Sequence, residues 1–477
     1  MTKSIIIHGH YYQPPRANPA TGVIPIETSA APFPNWNARI ADECYRPNTR
    51  AAILDSNDHG TVAEQLNTYA FTSFNFGPTL LRWMEDSTPD IYQAILAADR
   101  DSARRLGTGN AIAQSMHHTI LPLAAPRDRQ TEIRWGLDDF EHRFGRPTRG
   151  MWLPECAVDL ATLDAVARAG VEFVILAPRQ CRASRSIGGG WRYEAVDTGV
   201  PYQVQLPSGA SLVAFFYDGP LSQSIAFSGL LDDGAKFARH LAGSRETGLV
   251  NVATDGETYG HHHHHGEMAL AFALRTLLDD RSVSVTNYAA YLDENPPRHQ
   301  AIIVDPSSWS CAHGVERWRS DCSCAIGTSQ PGDQAWRTPL RDSLNWLRTE
   351  LVGWYAEQAR DVGANPWSLR NGYHGASLRG PESVAAYVRS EGVTGDIKPV
   401  VEILEMQRVM LTMFTSCGWF FDSPDDIATR LDIMAATEAA RRFERLSGRE
   451  VRQELARRMR GVEGAEDLIL PECACPV

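Results

Sequence analysis

Two acids stand where apolar runs give way to loops. Glu155 follows Gly150-Met151-Trp152-Leu153-Pro154, and Asp255 follows Leu249-Val250-Asn251-Val252-Ala253-Thr254. Parallel barrels place their working residues at the carboxyl ends of strands. If both runs are strands of one barrel, both carboxyls serve one site. A carboxyl pair is the usual equipment for breaking a glycosidic bond, and in retaining enzymes the two lie about 5–5.5 Å apart. One acts as nucleophile; the other is an acid/base whose pKa is raised by burial and by its neighbour's charge. Trp152, beside Glu155, offers an indole face to a sugar ring. Glu257 is a third carboxyl, expected to orient groups rather than to react. Taken singly, each acid could instead be a helix cap or a salt-bridged barrel residue.

Histidines occupy comparable positions. Ile5-Ile6-Ile7 reads as a buried strand that ends in His8-Gly9-His10-Tyr11-Tyr12-Gln13-Pro14. His117 and His118 precede a second apolar run. The five consecutive histidines His261–His265 read as a polar loop between a strand end and a helix start. Cys311, His313, Cys322 and Cys324 carry zinc-compatible donors, but their spacing is not that of a finger, so buried thiols are expected and no metal or cofactor is assigned. Trp309, His313, Arg317 and Trp318 are read as a substrate-contacting lid, with domain packing as the alternative.

A chain of 477 residues with 43% hydrophobic and 22% charged residues is an ordinary globular protein. Its net charge of −12, without a basic block, argues against nucleic acid or an anionic membrane as partner. No stretch near the first residues is long enough for a signal peptide or membrane span, so a cytoplasmic location is expected. Nine cysteines suit reduced thiols.

Strand and helix patterns alternate over the first 290 residues or so, which favours an α/β barrel or a doubly wound sheet. Residues 16–50 read as a long irregular excursion, and a helix is predicted over 128–144. The texture changes after Pro297. We therefore divide the chain into 1–297 and 298–477, the latter opening with a loop-rich segment, 298–338, that covers the cleft and continuing as helices. One of these is predicted over 424–446, with Pro424 at its first position.

These motifs resemble those of family 57 of the glycoside hydrolases, which acts mainly on α-glucans. His8-Gly9-His10 with Gln13-Pro14 looks like the family's first motif, carrying two inserted aromatics. His118 before Leu121-Pro122 is similar to a second. Trp152-Leu153-Pro154-Glu155 matches the nucleophile motif, and Asp255-Gly256-Glu257-Thr258-Tyr259-Gly260-His261 resembles the one that supplies the acid/base. Cys417-Gly418-Trp419-Phe420-Phe421-Asp422 looks like the segment through which the family's helical domain brings a Trp to the site, although Gly418 stands where branching enzymes carry Asp.

The resemblance implies a distorted (β/α)7 TIM-like barrel followed by a helical domain. It implies a retaining hydrolase or transglycosylase on an oligo- or polysaccharide, with Glu155 as nucleophile and Asp255 as acid/base. His8, His10, Gln13, His118, Trp152, Glu257, Trp419 and Asp422 would contact substrate. Two other readings stand beside it: a metal-dependent polysaccharide deacetylase using Asp255 with His261, and a glycan-binding protein without turnover.

Overall fold

The computed structural model describes residues 3–55, 58, 60–324 and 332–470. Among these the chain divides into two compact units. One is drawn from Met1–Gln13, Ile26–Gln114 and Arg143–Asp305, the other from Pro14–Pro25, Ser115–His142 and Pro306–Val477.

The first unit is built on seven parallel strands: β1 (Lys3–Tyr11), β2 (Ser73–Phe76), β3 (Ala113–Gln114), β4 (Gly150–Trp152), β5 (Phe173–Leu176), β6 (Ser211–Phe216) and β7 (Leu249–Asp255). β1 pairs with β7 on one edge and with β2 on the other. A parallel bridge, Phe74 to Ala111, links β2 to the approach to β3. β3, β4, β5 and β6 then pair in order. The ring closes without a ladder: Asp218 N–H donates to Asn251 O at 2.7 Å, and Asn251 Nδ2 donates to Phe216 O at 3.3 Å. A two-residue β3 and this closure through a side-chain amide are what distort the (β/α)7 barrel. The near-continuous apolar runs of β1 and β7 follow from parallel strands being buried on both faces. Ile5, Ile7, Val250 and Val252 pack with Leu270, Leu274 and Leu277 of helix Gly266–Asp279 and with Phe237 and Leu241 of helix Gly234–Gly243.

The excursion at 16–50 is more regular than its composition suggests. It holds helical turns at Trp36–Ile40, Ala41–Tyr45 and Arg46–Asn48.

The second unit is helical, with Arg337–Asp361, Pro366–Ser377, Lys398–Thr412 and Ile427–Ser447 as its longest C-terminal members. The last of these starts three residues after Pro424, because the Asp426 carboxylate accepts from Ala428 N–H at 2.8 Å and caps it. Most of helix Pro126–Phe144 also belongs here, although the expected boundary placed it with the barrel. Asp128 explains the difference. Its buried carboxylate accepts from Arg348 Nε at 2.6 Å and from Arg370 Nη2 at 2.8 Å. Trp135 Nε1 donates to Arg370 O at 3.0 Å. A buried charge must be paired, so these bonds commit the helix to the C-terminal arginines.

Gly256, directly after β7, lies against the fully buried Tyr11 ring, where an added Cβ would overlap ring carbons. Tyr11 is itself stacked on Phe76 at 4.5 Å. Gly256→Ala is therefore expected to destabilise the protein by about 1–3 kcal/mol through overpacking, read as a lowered urea midpoint.

Candidate active site

β4 ends at Trp152, and after Leu153 a single 3-10 turn, Pro154–Cys156, presents Glu155. The backbone there is unusual. Glu155 has φ +58° and Cys156 φ +47°, two consecutive non-glycine residues in the left-handed region. Such conformations carry a cost of order 1–3 kcal/mol each and gather at functional sites. Local bonds hold the turn. Cys156 N–H donates to Leu153 O at 2.8 Å, and the buried Gln180 donates through Nε2 to Cys156 O at 2.7 Å. The side chain of Glu155 is half-buried.

Asp255 ends β7, level with His10 of β1. Solvent reaches its side chain, and the protein around it still desolvates the carboxyl. Desolvation and then the Glu155 carboxylate raise its pKa from 3.8 to about 7. Both acids also act on the buried Cys156 thiol, which desolvation first and their charges next push well up, with Arg179 opposing. Glu155 and Asp255 thus lie within each other's fields at the carboxyl ends of two strands of one barrel.

Glu257 is almost fully buried. Its Oε1 accepts from Tyr45 Oη at 2.6 Å and from Tyr12 N–H at 3.2 Å. Desolvation raises its pKa to about 8; the Tyr45 bond opposes this and the charge of Asp255 adds to it.

Beside these acids lies a layer of neutral polar groups. His8 Nε2–H donates to Asn75 Oδ1 at 3.1 Å, and its Nδ1 pairs with the Ser73 hydroxyl at 3.0 Å. Asn75 Nδ2 donates to His10 Nδ1 at 2.9 Å and to Gln114 Oε1 at 2.7 Å, which leaves the His10 proton on Nε2. Burial lowers both imidazoles to about 3, helped at His10 by His8, so both are neutral at pH 7. Beneath them is Trp152. Its ring stacks on His8 at 5.0 Å and on His10 at 4.9 Å and is fully buried. Trp152 is therefore a platform for the histidines; it has no exposed face for a sugar. Gln13 is half-buried in the same unit.

The other expected substrate contacts belong to the helical unit. His118 holds φ +55°, is buried, and bonds through Nδ1 to Ser416 Oγ at 2.6 Å. Trp318 and Trp419 are fully buried, which corrects the expectation that they offer walls to a ligand. Arg341 explains both: its Nε donates to Trp318 O at 2.8 Å, and its guanidinium lies 3.9 Å over the Trp419 ring. Arg317 is buried and donates through Nη1 to Phe420 O at 2.8 Å, so it is a structural brace. Asp422 accepts from Gln334 Nε2 at 2.7 Å and from Gly332 N–H at 3.3 Å, pinning the segment that leads into helix Arg337–Asp361. Trp309 is half-buried. His313 is exposed, with Nδ1 3.5 Å from Cys324 Sγ, which ties it to the thiols instead of a sugar subsite.

Several partners escaped the sequence reading. Ser73 and Asn75 carry the signal that could have found them: two polar residues alternating in a strand buried throughout, as His8 and His10 do in β1. Tyr45 and Gln114 gave none. Asp432 is the buried carboxyl that fills the space beside Gly418, where a Cβ would overlap its Oδ2.

Two members of the histidine run have protein partners. His261 pairs with Glu43, and His263 Nε2 donates to Ala226 O at 2.8 Å. Among the described residues, the one set of three or more converging potential ligands includes neither the run nor Asp255.

A seven-stranded parallel barrel with a coupled carboxyl pair at its strand ends defines a class of barrel hydrolases. The chain belongs to glycosyl hydrolase family 57, whose description matches residues 6–304, more than half of its length. Residues 333–465 match a domain of unknown function, DUF3536. Among solved structures, the fold is similar to an exo-type maltose-forming amylase from Pyrococcus sp. ST04, with 17% identity, 98% of this chain and 82% of that one covered, and a TM-score of 0.69. It is also similar to a branching enzyme from Thermococcus kodakaraensis, with 14% identity, 98% and 96% coverage and a TM-score of 0.62. Alpha-amylase 1 of Dictyoglomus thermophilum is 25% identical over 103 residues, 21% of this chain, so the match spans 14% of that relative's length.

Two outcomes follow from the site. Asn75→Ala strips partners from His8, His10 and Gln114 and is expected to lower stability by about 1–3 kcal/mol per buried group left unsatisfied, measured by urea unfolding. A carboxyl whose pKa is raised by folding binds its proton more tightly in the native state. The contribution of Glu257 to stability is therefore complete below 4.5 and is lost as pH rises toward about 8. Glu257→Gln should flatten the pH dependence of the melting temperature across that window.

Proposed function

We propose that the protein is a retaining glycoside hydrolase or transglycosylase acting on α-linked glucan. The observation that carries this is the coupled pair, Glu155 and Asp255, on two strands of one barrel, with Asp255 raised to about 7. Family membership and the amylase and branching enzymes of similar fold support the choice of substrate.

The acids divide the work by charge. Glu155, ionised, attacks the anomeric carbon and forms a glycosyl-enzyme. Asp255, protonated, gives its proton to the leaving oxygen. Once Glu155 is esterified its charge is gone, so one of the two causes that hold Asp255 up is removed. Its pKa falls, and Asp255 is then fit to take a proton from water or from an acceptor hydroxyl. His8, fully buried with both ring nitrogens taken by Asn75 and Ser73, supports the site from behind, and a hydrogen bond between neutral His10 and a sugar hydroxyl adds no charge. Barrel-unit residues carry this chemistry, and a substrate role for Gln13 is an extension of the same reading.

Among the described residues the deacetylase reading has no converging ligand set at Asp255 to support it, and a binding-only protein would not need the coupled acids. Glu155→Gln and Asp255→Asn are each expected to lower maltooligosaccharide turnover roughly 10²–10⁴-fold, the range of a lost acid/base or nucleophile. Activity within a few fold of the parent would remove the assignment. The sugar should be found on the peptide containing Glu155 after trapping and mass spectrometry. Because Asp255 must hold its proton, kcat/KM should fall as pH rises through about 7.

A further inference from the structure

We propose that Cys311, His313, Cys322 and Cys324 of the helical unit form a tetrahedral zinc site that fixes the loop carrying Arg317 and Trp318. The four donor atoms all lie within 4.8 Å of one another. Zinc binds thiolate sulfur at about 2.3 Å and imidazole nitrogen at about 2.0–2.1 Å, so a tetrahedral site has edges of about 3.8 Å between sulfurs and about 3.6 Å between sulfur and nitrogen. Here Cys311 Sγ and Cys324 Sγ are 3.9 Å apart, and Cys324 Sγ is 3.5 Å from His313 Nδ1. A disulfide would join two of the three thiols and leave the third beside it; a metal uses all three and the imidazole.

The donors come as two short pairs, Cys311-x-His313 and Cys322-x-Cys324. One intervening residue is tighter than the spacing of zinc fingers, and for that reason the sequence alone argued for buried thiols. The backbone accommodates the tight spacing. Ser323, between two donors, holds φ +54°, and Gly314, after His313, holds φ +81°. Charge also fits. Three thiolates and one Zn²⁺ leave a net negative charge, and the fully buried Arg337 sets Nη1 3.6 Å from Cys322 Sγ. Arg317 Nη2 and Gln334 Nε2 donate to Cys324 O at 3.4 and 3.2 Å, so the peptide behind the fourth donor is held as well. From Pro306 to Cys324 the only helix is the turn Glu316–Trp318, yet Trp318 and Arg317 are buried. A long loop with so little regular structure needs a tie, and folding free energy from a bound metal supplies one. The site is independent of the glycosidase chemistry.

The test uses the full chain, purified under reducing conditions without metal-affinity resin. Elemental analysis is expected to give about one zinc per chain, falling at least about tenfold in Cys322→Ser/Cys324→Ser and unchanged in His262→Ala/His264→Ala. Should the cysteine variant not fold, the parent decides. Cobalt exchanged into it should give the intense visible bands of a tetrahedral thiolate site, and the three thiols should resist alkylation until a chelator is added. Zinc well below stoichiometric, zinc lost from the histidine variant instead of the cysteine one, an octahedral cobalt spectrum, or a disulfide among the three cysteines in protein alkylated at lysis would each overturn the proposal.

Discussion

Two carboxyls within each other's fields cannot both ionise freely, and that electrostatic constraint organises the barrel's carboxyl end. Like charges at short range cost more as water is withdrawn, and after desolvation the Glu155 charge is the cause that lifts Asp255 to about 7. Glu155 is half-buried on a turn whose backbone is forced into the left-handed region. Asp255 ends β7, with Glu257 two residues on and itself raised by burial. The left-handed backbone at Glu155 and Cys156 sits at the end of β4, held by the Gln180 amide on the Cys156 carbonyl and by the Leu153 carbonyl on the Cys156 N–H.

The strand frame was legible because parallel strands buried on both faces leave uninterrupted apolar runs, and β1 and β7 stand out as such. β3 has two residues and left no such trace. Closure between β6 and β7 rests on the backbone carbonyl and the side-chain amide of Asn251, a polar residue inside a hydrophobic run whose role shows only in three dimensions. The acids were legible from their place after those runs. Their partners were less so. Tyr45 reaches Glu257 from a turn more than two hundred residues earlier in sequence, and no local pattern encodes that contact.

Tryptophan was the least reliable guide. A large apolar ring with one polar atom suits a sugar platform and a protein interior equally well. Trp152, Trp318 and Trp419 are all interior. In each case a neighbour invisible to sequence spacing claims the ring or its backbone: two histidines for Trp152, Arg341 for the other two. The helix at 126–144 was misallotted for a similar reason. Its pattern revealed an amphipathic helix but not that Asp128 would pair with arginines far along the chain.

The neutrality of the histidine layer completes the electrostatic logic. A protonated imidazole one strand away would stabilise the Asp255 carboxylate and pull its pKa back toward the ordinary carboxylate range. Desolvation by the surrounding strands prevents this by holding His8 and His10 far below neutrality, and stacking on Trp152 fixes their planes. Asn75 then selects the tautomers, accepting from one ring and donating to the other. One buried amide thereby fixes where both ring protons reside, and the site keeps hydrogen-bonding capacity while the acids keep control of its charge.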